Sequence, residues 1–394
     1  MSGGPREAGR MRSVVELAQE LVRRPSRGGI DGYGPVLDVL EGWLTGRELP
    51  HRRLHGADGA LVGLLVEIAG GRPGPWWTLD ACVDTASYGD TARWSFPPDC
   101  GEVRDGWLLG RGAADSKLAA AMFCHIAAGL APRAQEFAGG LAVLLDVDEH
   151  TGGFGGARAY LTDPVAVRPA GVVIGYPGMD EVVVGGRGLW RATITVHAPS
   201  GHSGSSRTVT GAITRAAHLV RLLDAAELPG PGDTVFPLGP KLTVTAFHGG
   251  EGFSVTPDRV DINVDVRTTP SFDASAAETL VRKAVAELDG SLPVPVPTEI
   301  TEVASWPPFR LGEDEQPAAA LLSAARAAGL EVRAKTAGPS NIGNLLAGEG
   351  IPATAGFGVP YEGLHGIDER ASLAELATVY AVHEQAVLEL LGVS

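Results

Sequence analysis

Residues 141–153, LAVLLDVDEHTGG, carry an apolar run into Asp148, Glu149 and His150 and then a glycine pair. An unbroken apolar run bounded this way reads as a buried strand. Two carboxylates and an imidazole at its tip supply a general base and a metal ligand. Other runs end in similar chemistry. Residues 76–83 (WWTLDACV) lead through Cys82 to Asp84, residues 171–174 (GVVI) to Tyr176 in GYP, and residues 351–357 toward His365 in GLHGIDE. GRGAADSK places Asp115 just ahead of a helix. Ligands of open α/β sheets sit beyond the carboxyl ends of the strands, so these residues are expected to meet in one crevice. Taken singly, each has a plainer reading: Asp115 as a helix cap, His150 as a histidine bonded to a backbone carbonyl.

The elements that must position them are legible in the periodicity. Residues 11–23 and 34–46 read as amphipathic helices, 61–67, 76–83, 141–147 and 171–174 as buried strands, and 116–130 as a helix between them. That alternation predicts an α/β domain with a sheet covered on both faces. Residues 187–197, 241–247 and 259–267 instead alternate apolar and polar, the mark of a half-exposed sheet. Helical runs at 208–226 and 273–288 separate them, with a further strand at 294–302. This order reads as a ferredoxin-like split βαβ unit inserted into the first domain. Helix-and-strand style returns at 315–328, 340–349, 351–357 and 371–391, after prolines 293, 295, 297, 307 and 308. The expected boundaries are 1–184 and 298–394 for a discontinuous catalytic domain and 185–297 for the insert.

Composition narrows the function classes. The 394 residues carry a formal charge of -15, which argues against nucleic acid or an anionic membrane surface as partner. No apolar run is long enough for a transmembrane helix or signal peptide, and the three cysteines form no CxxC pair, so a reducing cytoplasm is expected. TGGFGGARAY follows a strand, but Arg158 stands where GxGxxG needs its third glycine, and there is no GK[ST]. Nucleotide binding is therefore not expected. His51 and His55 lie in an arginine-rich loop, and His125, His218 and His383 fall inside helices as structural residues.

The ordered series GEVRDGWLLGRGAADSK, DVDEHTGG, APSGHSG, GGEGFSVTPDRVDINVDVR, GPSNIGNLLAGEGIPATAGFG and LHGIDE resembles a known family. It is similar to the acetylornithine deacetylase, succinyl-diaminopimelate desuccinylase and glutamate carboxypeptidase family of dinuclear zinc hydrolases. The resemblance implies a zinc-binding α/β domain with an inserted dimerisation or lid domain. It matches Asp115 to the bridging ligand, followed by a cis peptide to Ser116, Glu149 to the general base, and His365 to the last ligand. His150 stands where a ligand glutamate is usual, Cys82 replaces the first ligand histidine, and Tyr176 replaces a ligand acid. Asp84, whose family role is to orient the missing histidine, is left without that partner. His202 matches a histidine that reaches across a dimer to polarise the scissile carbonyl. Arg267 matches an arginine that grips a substrate carboxylate, with Ser340 and Asn341 completing that site. Ser254 stands in place of an asparagine.

These departures are lopsided. Asp115, His150 and His365 make a sound zinc site, whereas Cys82, Asp115 and Tyr176 make a weak one, because a phenol must ionise to bind. One zinc ion is expected rather than two, with cobalt, manganese or nickel compatible with the same donors. The leading expectation is a cytoplasmic, homodimeric amidohydrolase that cleaves an N-acyl or peptide bond beside a carboxylate. It would use metal-activated water with Glu149 as base. The competing expectation is a repurposed member that binds ligand or performs a non-hydrolytic biosynthetic step.

Overall fold

A computed structural model describes residues 5–206, 210–230 and 234–393. The chain divides into two compact units, one of residues 1–184, 311–335 and 341–394, the other of residues 185–310 and 336–340.

The first unit is built on a six-stranded sheet. Strands β1 (His51–His55), β2 (Leu61–Ala69), β3 (Arg72–Cys82), β4 (Ala138–Asp146) and β5 (Gly171–Ile174), with Ala353–Ala355, take the order β1-β2-β4-β3-β5 and then 353–355. β3 runs parallel to β4 and β5, and β5 to Ala353–Ala355, so four carboxyl ends share one edge. Of helices α1 (Pro5–Val22), α2 (Gly34–Thr45), α3 (Leu118–Leu130) and α4 (Gly155–Thr162), the last three pack with this sheet, and α1 packs on α3. α3 is buried on nearly every side, which its alanine-rich, charge-free sequence permits. His51 and His55 do not lie in a loop as expected. They begin and end β1, whose side chains are short of apolar residues because it is an edge strand paired only with β2.

The glycines of TGGFGGARAY serve packing. A Cβ at Gly156 would lie 2.4 Å from Cβ of Asp146 and 2.5 Å from the Val62 carbonyl oxygen, so only glycine lets α4 approach β2 and β4 there.

The second unit orders its elements as β6 (Gly188–His197), α5 (Ala212–Asp224), β7 (Lys241–His248), β8 (Arg259–Thr268), α6 (Ala274–Ser291) and β9 (Glu299–Trp306). The sheet order β7-β8-β6-β9, all antiparallel, is that of a ferredoxin-like split βαβ sandwich. Even-numbered residues of β6 and β8, including Ile194, Val196, Ile262 and Val264, face α5 and α6 in one core. This unit runs through Arg310, beyond the return at 298 read from the prolines. The cause is β9, which pairs with β6 and lies between the two proline groups.

Candidate metal and active site

Three residues from three segments meet beyond the carboxyl edge of the first unit's sheet. Asp115 precedes α3, His150 follows β4, and His365 lies in the loop between the short strands Tyr361–Glu362 and Arg370–Ser372. One ligand atom of each lies within 4.8 Å of the others. Both imidazoles address the same carboxylate oxygen: Nε2 of His365 is 2.8 Å and Nε2 of His150 3.5 Å from Oδ2 of Asp115. The peptide between Asp115 and Ser116 is cis. The backbone turns sharply here, and Asp148, Phe154 and His365 all have positive φ, between 52 and 75°.

Asp84 has a partner after all. Its Oδ1 accepts the backbone N–H of Glu149 at 3.2 Å, and its Oδ2 accepts the N–H of His150 at 3.0 Å and faces His150 Nδ1 at 3.3 Å. The expectation that Asp84 is left without a histidine is corrected. His150 supplies one, within reach because β3 and β4 are adjacent parallel strands. With Nδ1–H given to Asp84, a neutral His150 would turn a lone pair at the Asp115 carboxylate. Two acceptors need a cation between them. Burial opposes charge on His150, but hydrogen bonds to Asp115 and Asp84 dominate and push its pKa up to about 11. Among protein groups alone, a proton therefore holds the place a metal ion would take. Two imidazoles, one carboxylate and an orienting carboxylate fit zinc.

A second grouping, Cys82, Asp84 and His150, also lies within 4.8 Å, but its donors are committed elsewhere. Burial, with the nearby charges of Glu149 and Asp115, pushes the Cys82 thiol far up. Its sulfur sits 3.9 Å from Asp115 Oδ1 and 3.8 Å from Ser116 Oγ. Burial and the Asp115 and Glu149 charges likewise push the Tyr176 phenol above its ordinary range. Each would have to give up its proton to serve as a zinc donor.

Glu149 lies beside this group. Burial, reinforced by Asp115, raises its carboxyl to about 7. Behind it, Asp80 and Asp146 are fully buried, with side-chain oxygens lacking a hydrogen-bond partner. Burial pushes both far up, which favours their uncharged form. Sequence reading missed them, because a lone acid within an apolar strand resembles any half-exposed position. It also missed the buried pair Arg111–Glu369, whose Nη1 and Oε2 are 2.5 Å apart.

In the second unit, His202 is exposed on the Gly201–His202 strand, paired with Val255–Thr256. Its Nδ1 accepts from Gly204 N–H at 3.0 Å, which leaves the proton on Nε2. Arg267 gives Nε and Nη2 to Asp265, at 2.7 and 3.2 Å, and Nη1 to Ser340 Oγ at 3.2 Å. Ser340 in turn donates to the Arg187 carbonyl at 2.8 Å. In the first unit, Asn341 caps the helix Ile342–Gly348, with its side chain on Gly343 N–H.

A two-unit α/β frame with a histidine–carboxylate cluster able to hold a metal ion and an adjacent half-buried glutamate defines a metal-dependent hydrolase. The chain belongs to Peptidase family M20/M25/M40, whose sequence pattern matches residues 82–389. Succinyl-diaminopimelate desuccinylase of Rhodospirillum centenum is 26% identical over 94% of this chain and 95% of its own. An M20 metallo-carboxypeptidase of Sulfolobus solfataricus shares the fold, with a TM-score of 0.77, 15% identity and coverage of 96% and 98%. A dinuclear metal-binding M20 peptidase of Bacillus subtilis does so at 0.72, 16%, 98% and 100%. The chain is thus a metal-dependent hydrolase of amide bonds, and the non-hydrolytic alternative is not favoured. Among the described residues no helix is long and apolar enough to cross a membrane.

Proposed function

We propose that this protein hydrolyses an N-acyl or peptide bond next to a carboxylate, using a mononuclear centre held by Asp115, His150 and His365. The observation that carries the reading is the convergence of those three ligand atoms with Asp84 orienting His150. A zinc ion there would supply Lewis acidity and make hydroxide available near neutral pH. Glu149 takes the proton of the attacking water and passes it to the leaving nitrogen. Its raised pKa suits both steps. Cys82 and Tyr176 shape the pocket as neutral groups.

His202, with its proton on Nε2, is the histidine that in the family resemblance reaches across a dimer to donate to the oxygen of the scissile carbonyl as negative charge develops. The Nε edge of Arg267 is taken by Asp265, so a substrate carboxylate meets the other edge, beside Ser340. Asn341 caps the helix Ile342–Gly348 next along the chain. A homodimer through the inserted unit and a cytoplasmic setting complete the reading.

The relatives named for succinyl-diaminopimelate support a first panel of N-succinyl and N-acetyl amino acids, joined by dipeptides. Amine release from zinc-loaded protein, abolished by a chelator and by Glu149→Gln, is the expected outcome. No release from any member of the panel would sink the reading.

A further inference from the structure

Arg111 and Glu369 are the most deeply buried ion pair among the described residues, with side chains 2% and 1% exposed. A buried pair is no stability argument in itself, so its placement needs another reason. Arg111 lies four residues before Asp115, and Glu369 four residues after His365. Each reaches into the other's segment. Oε1 of Glu369 accepts the backbone N–H groups of Gly112 at 2.9 Å, Ala114 at 3.2 Å and Asp115 at 3.4 Å. Nη2 of Arg111 donates to the carbonyl of Gly366, the residue after His365, at 2.5 Å. The backbone repeats the link, with Gly110 N–H on the Glu369 carbonyl at 3.0 Å.

Both segments need such a tie. Non-helical backbone at Asp115 and Ser116 interrupts the start of α3, and His365 and Asp368 have positive φ. Neither segment's ligand is held by regular secondary structure. The guanidinium is also fixed from outside, 5.2 Å from the Trp94 ring centre.

From this reciprocal geometry we infer that Arg111 and Glu369 form a clasp that sets the distance between Asp115 and His365, and so act as positioning residues for the metal centre. The inference rests on the proposed site at Asp115, His150 and His365. Neither side chain touches the ligand atoms. The clasp holds the two ligand-bearing backbones at the separation a cation requires, and the metal need not draw the loops together on binding. Such support is worth about 10- to 100-fold in metal affinity.

The test is the zinc dissociation constant, read by competition with a chromophoric chelator, alongside thermal unfolding with and without zinc. Arg111→Lys keeps the buried charge but not the fork that serves Glu369 and Gly366 together. Arg111→Met with Glu369→Gln removes both charges and keeps an acceptor for the Gly112 and Ala114 N–H groups, which guards against simple unfolding. Folded variants that bind zinc about 10- to 100-fold more weakly, with Arg111→Lys the milder of the two, are the expected result. Wild-type affinity in both folded variants would overturn the clasp alone. A wild-type protein that binds no zinc would overturn the metal centre and the clasp together.

Discussion

Oδ2 of Asp84 lies 3.0 Å from the backbone nitrogen of His150 and 3.3 Å from its Nδ1, so one carboxylate oxygen fixes both the loop and the ring it carries. Asp84→Asn should leave the fold intact and weaken zinc binding by about 10- to 100-fold, because an uncharged amide offers one acceptor oxygen where the carboxylate offers two, and cannot serve the Glu149 N–H and the His150 loop and ring together. Chelator competition reads this directly. An unchanged affinity would remove Asp84 from the account.

Glu149→Gln should retain its metal and lose about 100- to 10,000-fold in kcat/KM. The base acts in its ionised form, and its carboxyl is raised to about 7 by burial and by Asp115. A bound cation lowers a neighbouring carboxyl. The acid limb of the wild-type pH profile should therefore fall at or below pH 7, with activity rising as pH rises. An acid limb well above 7 would assign the base to another group.

Cys82→Ala should keep the full metal complement, since the proposed centre is held by Asp115, His150 and His365 and burial pushes the Cys82 thiol up, which opposes the thiolate a zinc ligand needs. Deleting a buried sulfur should cost about 1 kcal/mol of stability. Metal analysis beside thermal unfolding separates the two effects, and loss of metal would make Cys82 a ligand.

Burial pushes the Asp80 carboxyl far above its ordinary value of 3.8, so the protonated form is expected in the folded chain. Below that value the folded and unfolded states bind the proton alike. Above it the unfolded chain ionises and the folded one does not, so stability falls by about 1.4 kcal/mol per pH unit. Asn does not titrate. The advantage of Asp80→Asn in thermal midpoint should grow between pH 4 and pH 8, and an advantage independent of pH would mean that Asp80 is ionised in the fold.

Much of this was legible along the chain. The ligands stand where apolar strands end, and the change of period from buried runs to alternation marks where the inserted unit starts. What the sequence hid depends on contacts between distant residues. Asp84 and His150 are 66 positions apart, and only the adjacency of β3 and β4 makes them partners. Arg111 and Glu369 are separated by 258 positions and look like surface charges until folded. β1, rich in arginine and histidine, resembles a loop because its charge partners lie on other segments: Glu41 and Asp38 of α2 for Arg53, Glu67 of β2 and Asp163 for Arg52. Arg267 was legible by motif, while its pairing with Asp265 follows from the side-chain geometry of β8.

The central claim is a single metal ion held by Asp115, His150 and His365. Elemental analysis with native mass spectrometry, on wild-type protein and His365→Ala purified without chelators, tests it most directly. One zinc per wild-type chain and none in the variant is the predicted result. Two per chain, or one retained without His365, would contradict it.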